Sequence, residues 1–333
     1  MDDLDPLLSH QVQVVNALSI KFEKVTVITS RVGTFEKRPN VRVINTCWNS
    51  RKRFLSLLRF FMIFISFLRM NRNVIIFSHM TEVQSAIICP ITRLLKIKHF
   101  LWYAHTHKSK YLAWCNLWVT CIITSTPGSC PIKSKKVKYI GQAVDDSVFI
   151  FRNLLDLRLE NWVHIGRFDN SKNIQSIIKV FSYFQKNNHK MTFTQIGSPS
   201  TKIANKYADS IKKSYAHMIE SRAVKIELSV PRENLPTILA GYDVFAHSYI
   251  GSLDKTLIEA TLVGLPVITI NSEYVSIFGP WGELENMNLT SEYEALLKIP
   301  DIELKEILIN RRKLCVMEHS LKNWVNKLSE TLI

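Results

Sequence analysis

Short apolar runs recur along the chain at intervals that a helix would fill. Runs at 25–29, 41–44, 73–77, 99–103, 121–124 and 136–140 read as buried strands, and runs at 162–165, 191–196, 224–228, 243–246 and 266–270 do the same further on. The stretches between them carry helical periodicity, so the sheets should be parallel and the fold class α/β. Residues 11–18 read as a first helix with Ser9 near its N-cap. A doubly wound domain normally opens with a strand, and here only a few residues precede that helix. Residues 303–333 read as a closing amphipathic helix with Leu321, Trp324, Val325 and Leu328 on one face.

The most apolar stretch is 51–69, RKRFLSLLRFFMIFISFLR, with a core from 60 to 67 that holds one polar residue, Ser66. It falls short of the ~20 residues that a membrane-crossing helix needs. Two readings stay open. One is a helix buried against the sheet; the other is a helix lying in a membrane surface, with Arg51, Lys52, Arg53, Arg59 and Arg69 at the headgroups.

A different stretch, 248–270, carries the most local chemistry. It reads as a loop, a helix from Lys255 to Val263, a Gly264-Leu265-Pro266 turn and a strand. A loop feeding a helix N-terminus offers free N–H groups and the positive end of the helix dipole, a seat for phosphate. Asp254, Lys255 and Thr256 sit at that start, and Glu259 is the helix's only carboxylate. A second such seat follows 162–165, where Gly166-Arg167 and Lys172 precede a helix at 174–186; Gly197 repeats the strand-to-glycine pattern.

Composition adds two domains and a charge asymmetry. The 333 residues suit about two domains, with boundaries expected at 1–150 and 151–333. Residues 1–150 hold 21 Lys/Arg against 8 Asp/Glu, a net of +13, whereas residues 151–333 hold 22 against 20, a net of +2. The first half therefore favours anionic partners. Nucleic acid is set aside, because no recognised reading module accompanies the charge. The six cysteines show no CxxC and no His/Cys ligand spacing, and residues 1–7 are acidic, unlike a signal peptide. Free thiols in a reducing cytoplasm are the expectation.

In open parallel sheets ligands gather at the carboxyl ends of strands, which marks His79, His105 and 125–126 as cleft positions. His105 and His107 invite a metal reading, but side chains two apart on an extended segment face opposite ways, and no carboxylate lies near. Asp3-Leu4-Asp5 is a terminal Asp-x-Asp read as accidental. No Walker or GxGxxG loop occurs.

Three segments of the second half resemble glycosyltransferase family 4, the retaining group with the GT-B fold. They are GRF…KN at 166–173, YDVFAHS at 242–248 and KTLIEA…GLPVI at 255–268. The first half matches more loosely, through LWYAHTHKS at 101–109 and IGQAVD at 140–145. The resemblance implies two Rossmann-like doubly wound domains facing across a cleft, the last helix packing back on the first domain. It implies a nucleotide-sugar donor as co-substrate, with no cofactor and no metal. Arg167 and Lys172 would neutralise the donor diphosphate, whose charge grows as the sugar bond breaks. Glu259 would hold the ribose, the amides of Lys255 and Thr256 would cap the phosphates, and Gly197, Val230 and Pro231 would line the nucleotide. His105 would stand beside the transferred sugar, with Ser9, His10 and His79 on the acceptor side.

Two departures bear on activity. The family pairs two glutamates, and the position of the first is Gly251 here; Asp254 is near enough on the loop to substitute. The family's glycine-rich first loop corresponds to Ser9-His10. The expected protein is a cytoplasmic hexosyltransferase, peripheral at the inner membrane face, that acts on a glycan or lipid-diphosphate acceptor in cell-surface polysaccharide or glycolipid synthesis. The alternatives are a non-catalytic nucleotide-sugar-binding or scaffolding subunit, and a GT-B nucleotide-sugar epimerase.

Overall fold

An apolar run between polar turns must bury both faces, and parallel pairing under a layer of helices achieves this. The computed structural model describes residues 1–2, 10–71, 73–154 and 157–333. The chain separates into two units, Met1–Ala143 with His319–Ile333, and Val144–Glu318. Ser9 and the Asp-x-Asp at 3–5 lie outside the described residues.

The first unit runs α1 (His10–Lys21), β1 (Val25–Thr29), β2 (Val41–Asn45), α2 (Arg53–Met70), β3 (Ile76–His79), α3 (Glu82–Leu94), β4 (His99–Trp102), α4 (Lys110–Trp118), β5 (Cys121–Thr124) and β6 (Val137–Tyr139). β1 pairs with β2, and β3-β4-β5-β6 form a four-stranded sheet, all parallel. The strand expected at 73–77 is instead Ile76–His79, because those residues pair one by one with His99–Trp102. On α2, Phe64 and Leu68 are buried and pack with Ile88 of α3, while Phe54, Leu55, Leu58 and Met62 are exposed. The helix thus has one face in the core and an apolar face in solvent. Among the described residues no helix is long and apolar enough to cross a membrane.

The second unit runs β7 (Asn161–Ile165), α5 (Ile174–Gln185), β8 (Thr192–Ile196), α6 (Lys202–Ser214), α7 (Ala216–Glu220), β9 (Val224–Glu227), α8 (Leu235–Ala240), β10 (Val244–His247), α9 (Lys255–Val263), β11 (Val267–Thr269), α10 (Ser272–Phe278), α11 (Leu289–Leu296) and α12 (Asp301–His319). Its five strands are parallel in the order β11-β10-β7-β8-β9. α5 buries Ile174, Ile177, Ile178 and Phe181, a strict helical stripe, each worth about 1.5–3 kcal/mol of transfer free energy. They close on Trp162 and Phe193 of the sheet.

The closing segment is two helices, not one. Ser320 stops α12 and caps α13 (Leu321–Leu332), its side chain accepting from the Asn323 amide at 3.3 Å. Trp324, Val325, Leu328 and Leu332 of α13 pack with Val14 and Leu18 of α1 and with Phe100 and Trp102 of β4.

Candidate phosphate-binding site

In the second unit the order β10-β7-β8 sets the loops after β7 and β8, and the start of α9, at the carboxyl ends of neighbouring strands. Gly197 brings the first two loops together. Its φ is +145°, and an added Cβ would lie 1.9 Å from the Gly166 carbonyl oxygen, so no other residue fits unstrained. Ser198 and Ser229 then exchange backbone-to-hydroxyl hydrogen bonds of 2.9 and 3.0 Å, fastening the loop that leads to Val230 and Pro231. Val230 is partly buried and Pro231 is exposed.

After β7 the chain makes a tight turn at Asn170–Lys172, capped by the Asp169 carboxylate accepting from the Ser171 amide at 3.0 Å. Arg167 stays half exposed and lies 3.6 Å from Asp169. Lys172 turns inward: it is buried, forms an ion pair with Asp254, and sits 4.3 Å from the centre of the Tyr249 ring. Ser248 reinforces the turn, its hydroxyl 2.7 and 2.8 Å from the carbonyls of Lys172 and Asn173.

Asp254 stands at the N-cap of α9 without capping it. Its carboxylate instead accepts from Lys172 and, at 3.3 Å, from Nε2 of His247. Burial alone would raise this acid, but Lys172 and His247 outweigh burial and hold it well below the usual carboxylate range. His247 is fully buried, and its Nδ1 accepts from the Thr269 hydroxyl at 3.1 Å. Burial and then the Lys172 charge push its pKa down, against the pull of Asp254. Beside it, His164 donates from Nδ1 to the Ala246 carbonyl at 2.8 Å, and its buried Nε2 has no partner. Burial and the neighbouring His247 lower His164 to about 3.

The rest of α9 forms a second cluster. Glu259 is buried and paired with Arg232. Lys255 is lowered to about 7, first by burial and then by Arg232, with Glu259 opposing. The Thr256 hydroxyl oxygen is buried without a hydrogen-bond partner. The mouth of α9 therefore carries an open helix end, an unpaired hydroxyl and a lysine that titrates near neutrality, a set of groups suited to a phosphate.

At Gly251, a Cβ would fall 1.9 Å from the Tyr249 hydroxyl. The tyrosine fills the space that a side chain at 251 would need. Asn271 fixes this loop, its amide nitrogen 3.0 and 3.1 Å from the carbonyls of Tyr249 and Gly251.

Of the residues singled out from sequence, Lys172 and Asp254 meet directly, and Lys255 and Glu259 share the charge field of Arg232. His79 ends β3 in the first unit, its ring 6.0 Å from that of Trp102. His105 is exposed after β4 and accepts from the His107 amide at 2.9 Å. His10 opens α1; its side chain and Ser9 fall outside the description. His247, His164, Tyr249 and Arg232 escaped the sequence reading. The only signal was polar residues inside otherwise apolar strands at 164 and 247.

Residues 149–277, which hold this whole arrangement, match the family model described as Glycosyl transferases group 1. Comparison with curated proteins finds no match. Among solved structures, HepE of Anabaena in complex with UDP and glucose is similar at 12% identity and a TM-score of 0.71, covering 99% of this chain and 98% of that one. A glycosyltransferase from Rickettsia africae gives 12% identity and a TM-score of 0.73, covering 100% and 96%. The pneumococcal O-GlcNAc transferase GtfA in complex with UDP and GlcNAc gives 12% and 0.57, covering 82% and 59%. At such identities the likeness is one of fold: two Rossmann-like units of the GT-B class.

Proposed function

We propose that this chain is a glycosyltransferase that takes its sugar from a uridine diphosphate sugar. The observation that carries the reading is the mouth of α9, uncapped by Asp254 and ringed by Lys172, Lys255 and the free Thr256 hydroxyl. The UDP bound in the HepE and GtfA structures supports the choice of base. In this reading Arg167 and Lys172 stabilise the diphosphate leaving group without a metal, Glu259 exchanges Arg232 for the ribose hydroxyls, and a hexosyl group is transferred with retention. Gly197, Val230 and Pro231 line the nucleotide, and His105, with His79 and His10, serves the acceptor.

The proposed acceptor is a glycan or lipid-diphosphate carrier in cell-surface polysaccharide or glycolipid synthesis, met at the cytoplasmic face of a membrane. Charge supports this: residues 37–144 hold 18 Lys/Arg and one acid, Glu82. Packing supports it too. α2, α3 and α4 lie side by side, with Trp114 donating to the Ala86 carbonyl at 3.1 Å. Phe54 and Met62 of α2, Leu94 of α3 and Leu117 of α4 are each exposed, in a stretch of chain rich in those cations.

A second reading has its own observation. Tyr249 occupies the space of the absent glutamate side chain and Asp254 already neutralises Lys172, as would suit a subunit that binds donor without turning it over. Thermal unfolding with UDP-, GDP- and ADP-sugars tests the binding claim, since a ligand of the native state raises Tm. UDP-sugars should do so alone. Donor hydrolysis or transfer, lost in Arg167→Ala, then separates enzyme from binding subunit; a UDP-sugar shift with no turnover favours the latter.

A further inference from the structure

The cation best placed for the diphosphate is already spent. Lys172 is buried and paired with Asp254, whose carboxylate stands where an anionic ligand would compete for it. A diphosphate drawing Lys172 away would leave Asp254, a partly buried carboxylate with its side chain 24% exposed, without its cation, a loss that a second charged partner would offset. A second group meets the same carboxylate oxygen: His247, with Nε2 3.3 Å from Oδ2.

We propose that His247 is a charge-compensating positioning residue, which takes up a proton as donor diphosphate binds and so holds Asp254 while Lys172 moves to the phosphate. The inference rests on the donor reading above. In the ligand-free state Lys172 is charged, Asp254 ionised and His247 neutral, with its one N–H directed at Asp254. In the bound state Lys172 faces phosphate, and an imidazolium forms the ion pair with Asp254. One proton enters from solvent and no bond other than that N–H is made.

The surroundings of His247 agree with this. The charged groups acting on it are Asp254 at the start of α9 and Lys172 on the turn after β7. His164 on β7 lies 5.8 Å away between ring centres, and Tyr249 lies at 6.3 Å. Thr269 on β11 meets Nδ1 and can accept as well as donate, so it serves the neutral ring and the imidazolium alike. Withdrawing Lys172 removes the one cation that opposes protonation and leaves the carboxylate that favours it. Tyr249 keeps a cation–π face toward Lys172, 4.3 Å from its ring centre.

The test is calorimetric titration of UDP into the full-length protein near neutral pH, in buffers of different ionisation enthalpy. Uptake of about one proton per UDP is expected, with affinity falling about tenfold per pH unit where uptake is complete. In His247→Gln made on a Lys255→Arg background both the uptake and that pH dependence should vanish. In Asp254→Asn, which frees Lys172 in advance, UDP should bind about tenfold more tightly, again without uptake from this site. Lys255 also titrates near neutrality, and Lys255→Arg silences it; uptake that persists there belongs to His247. UDP binding with equal heat in all buffers, or uptake in Lys255→Arg that survives the added His247→Gln, overturns the proposal. Failure of UDP to bind wild-type protein at all overturns the donor reading instead, and this inference with it.

Discussion

At the scale of single residues, the site is defined by what Gly251 lacks. Its missing side chain lets Tyr249 fold over Lys172, and restoring a glutamate would drive a Cβ into the phenol. Gly251→Glu alone should therefore destabilise by about 1–3 kcal/mol, the usual range for overpacking. Combined with Tyr249→Ala the two changes should couple favourably, the double variant being more stable than the summed single effects, as a urea-denaturation mutant cycle would read. Additive effects would mean that the tyrosine does not occupy that space. The Lys172–Asp254 pair makes a separate statement about pH. Asp254 is held below its unfolded value of about 4, so its stabilisation is present above that pH and lost as pH falls below it. Asp254→Asn should lower stability at neutral pH by about 1–3 kcal/mol, the usual cost of leaving a buried polar partner unpaired, and lower Tm with it. It should also flatten the acid limb of a Tm-against-pH profile; an unchanged limb would show the pair to be absent in solution.

At the scale of elements, the strands and helices were largely legible because burial on both faces writes a continuous apolar run, and α5 writes a strict stripe at 174, 177, 178 and 181. Element ends were less legible: β3 runs on to His79 because pairing with β4 continues, which an apolar count over 73–77 does not register. The α9 seat and the cations Arg167 and Lys172 could be found locally, from a helix start after a strand. Their partners could not. Lys172 meets Asp254 across 82 residues, a contact that exists because the strand order sets β7 beside β10, and Arg232 meets Glu259 across 27. Polar residues at 164 and 247 inside apolar strands were a visible anomaly whose meaning depends on that same order. The join between the loops after β7 and β8 rests on Gly197, at positive φ against a carbonyl oxygen. Gly197→Ala should cost about 3 kcal/mol or more, and it should weaken UDP binding at temperatures where the protein stays folded. A drop below about 1 kcal/mol would show that the loops part easily.

At the scale of the whole molecule, the two units differ most in charge, and the difference makes a prediction that neither unit's fold requires. Apolar burial explains Phe64 and Leu68 of α2 but leaves Phe54, Leu58 and Met62 in water, along a stripe of period four, in a region with 18 cations and a single acid. An anionic bilayer surface satisfies both features at once. Each cation near the surface contributes about 1 kcal/mol, an attraction that decays over a Debye length of about 10 Å at 0.1 M salt. An inserted phenylalanine or leucine contributes about 1.5–3 kcal/mol that salt does not screen. Cosedimentation with vesicles containing anionic lipid should therefore show strong binding at low salt that weakens steeply, but not completely, as salt rises. Phe54→Ser should cut binding about tenfold at every salt concentration, Arg53→Gln with Arg59→Gln should remove mainly the salt-dependent part, and the UDP-induced rise in Tm should survive in all of them. Equal affinity for neutral and anionic vesicles would dismiss the electrostatic half, and no binding at low salt would dismiss the membrane partner altogether. The stripe would then have to be covered by another protein surface.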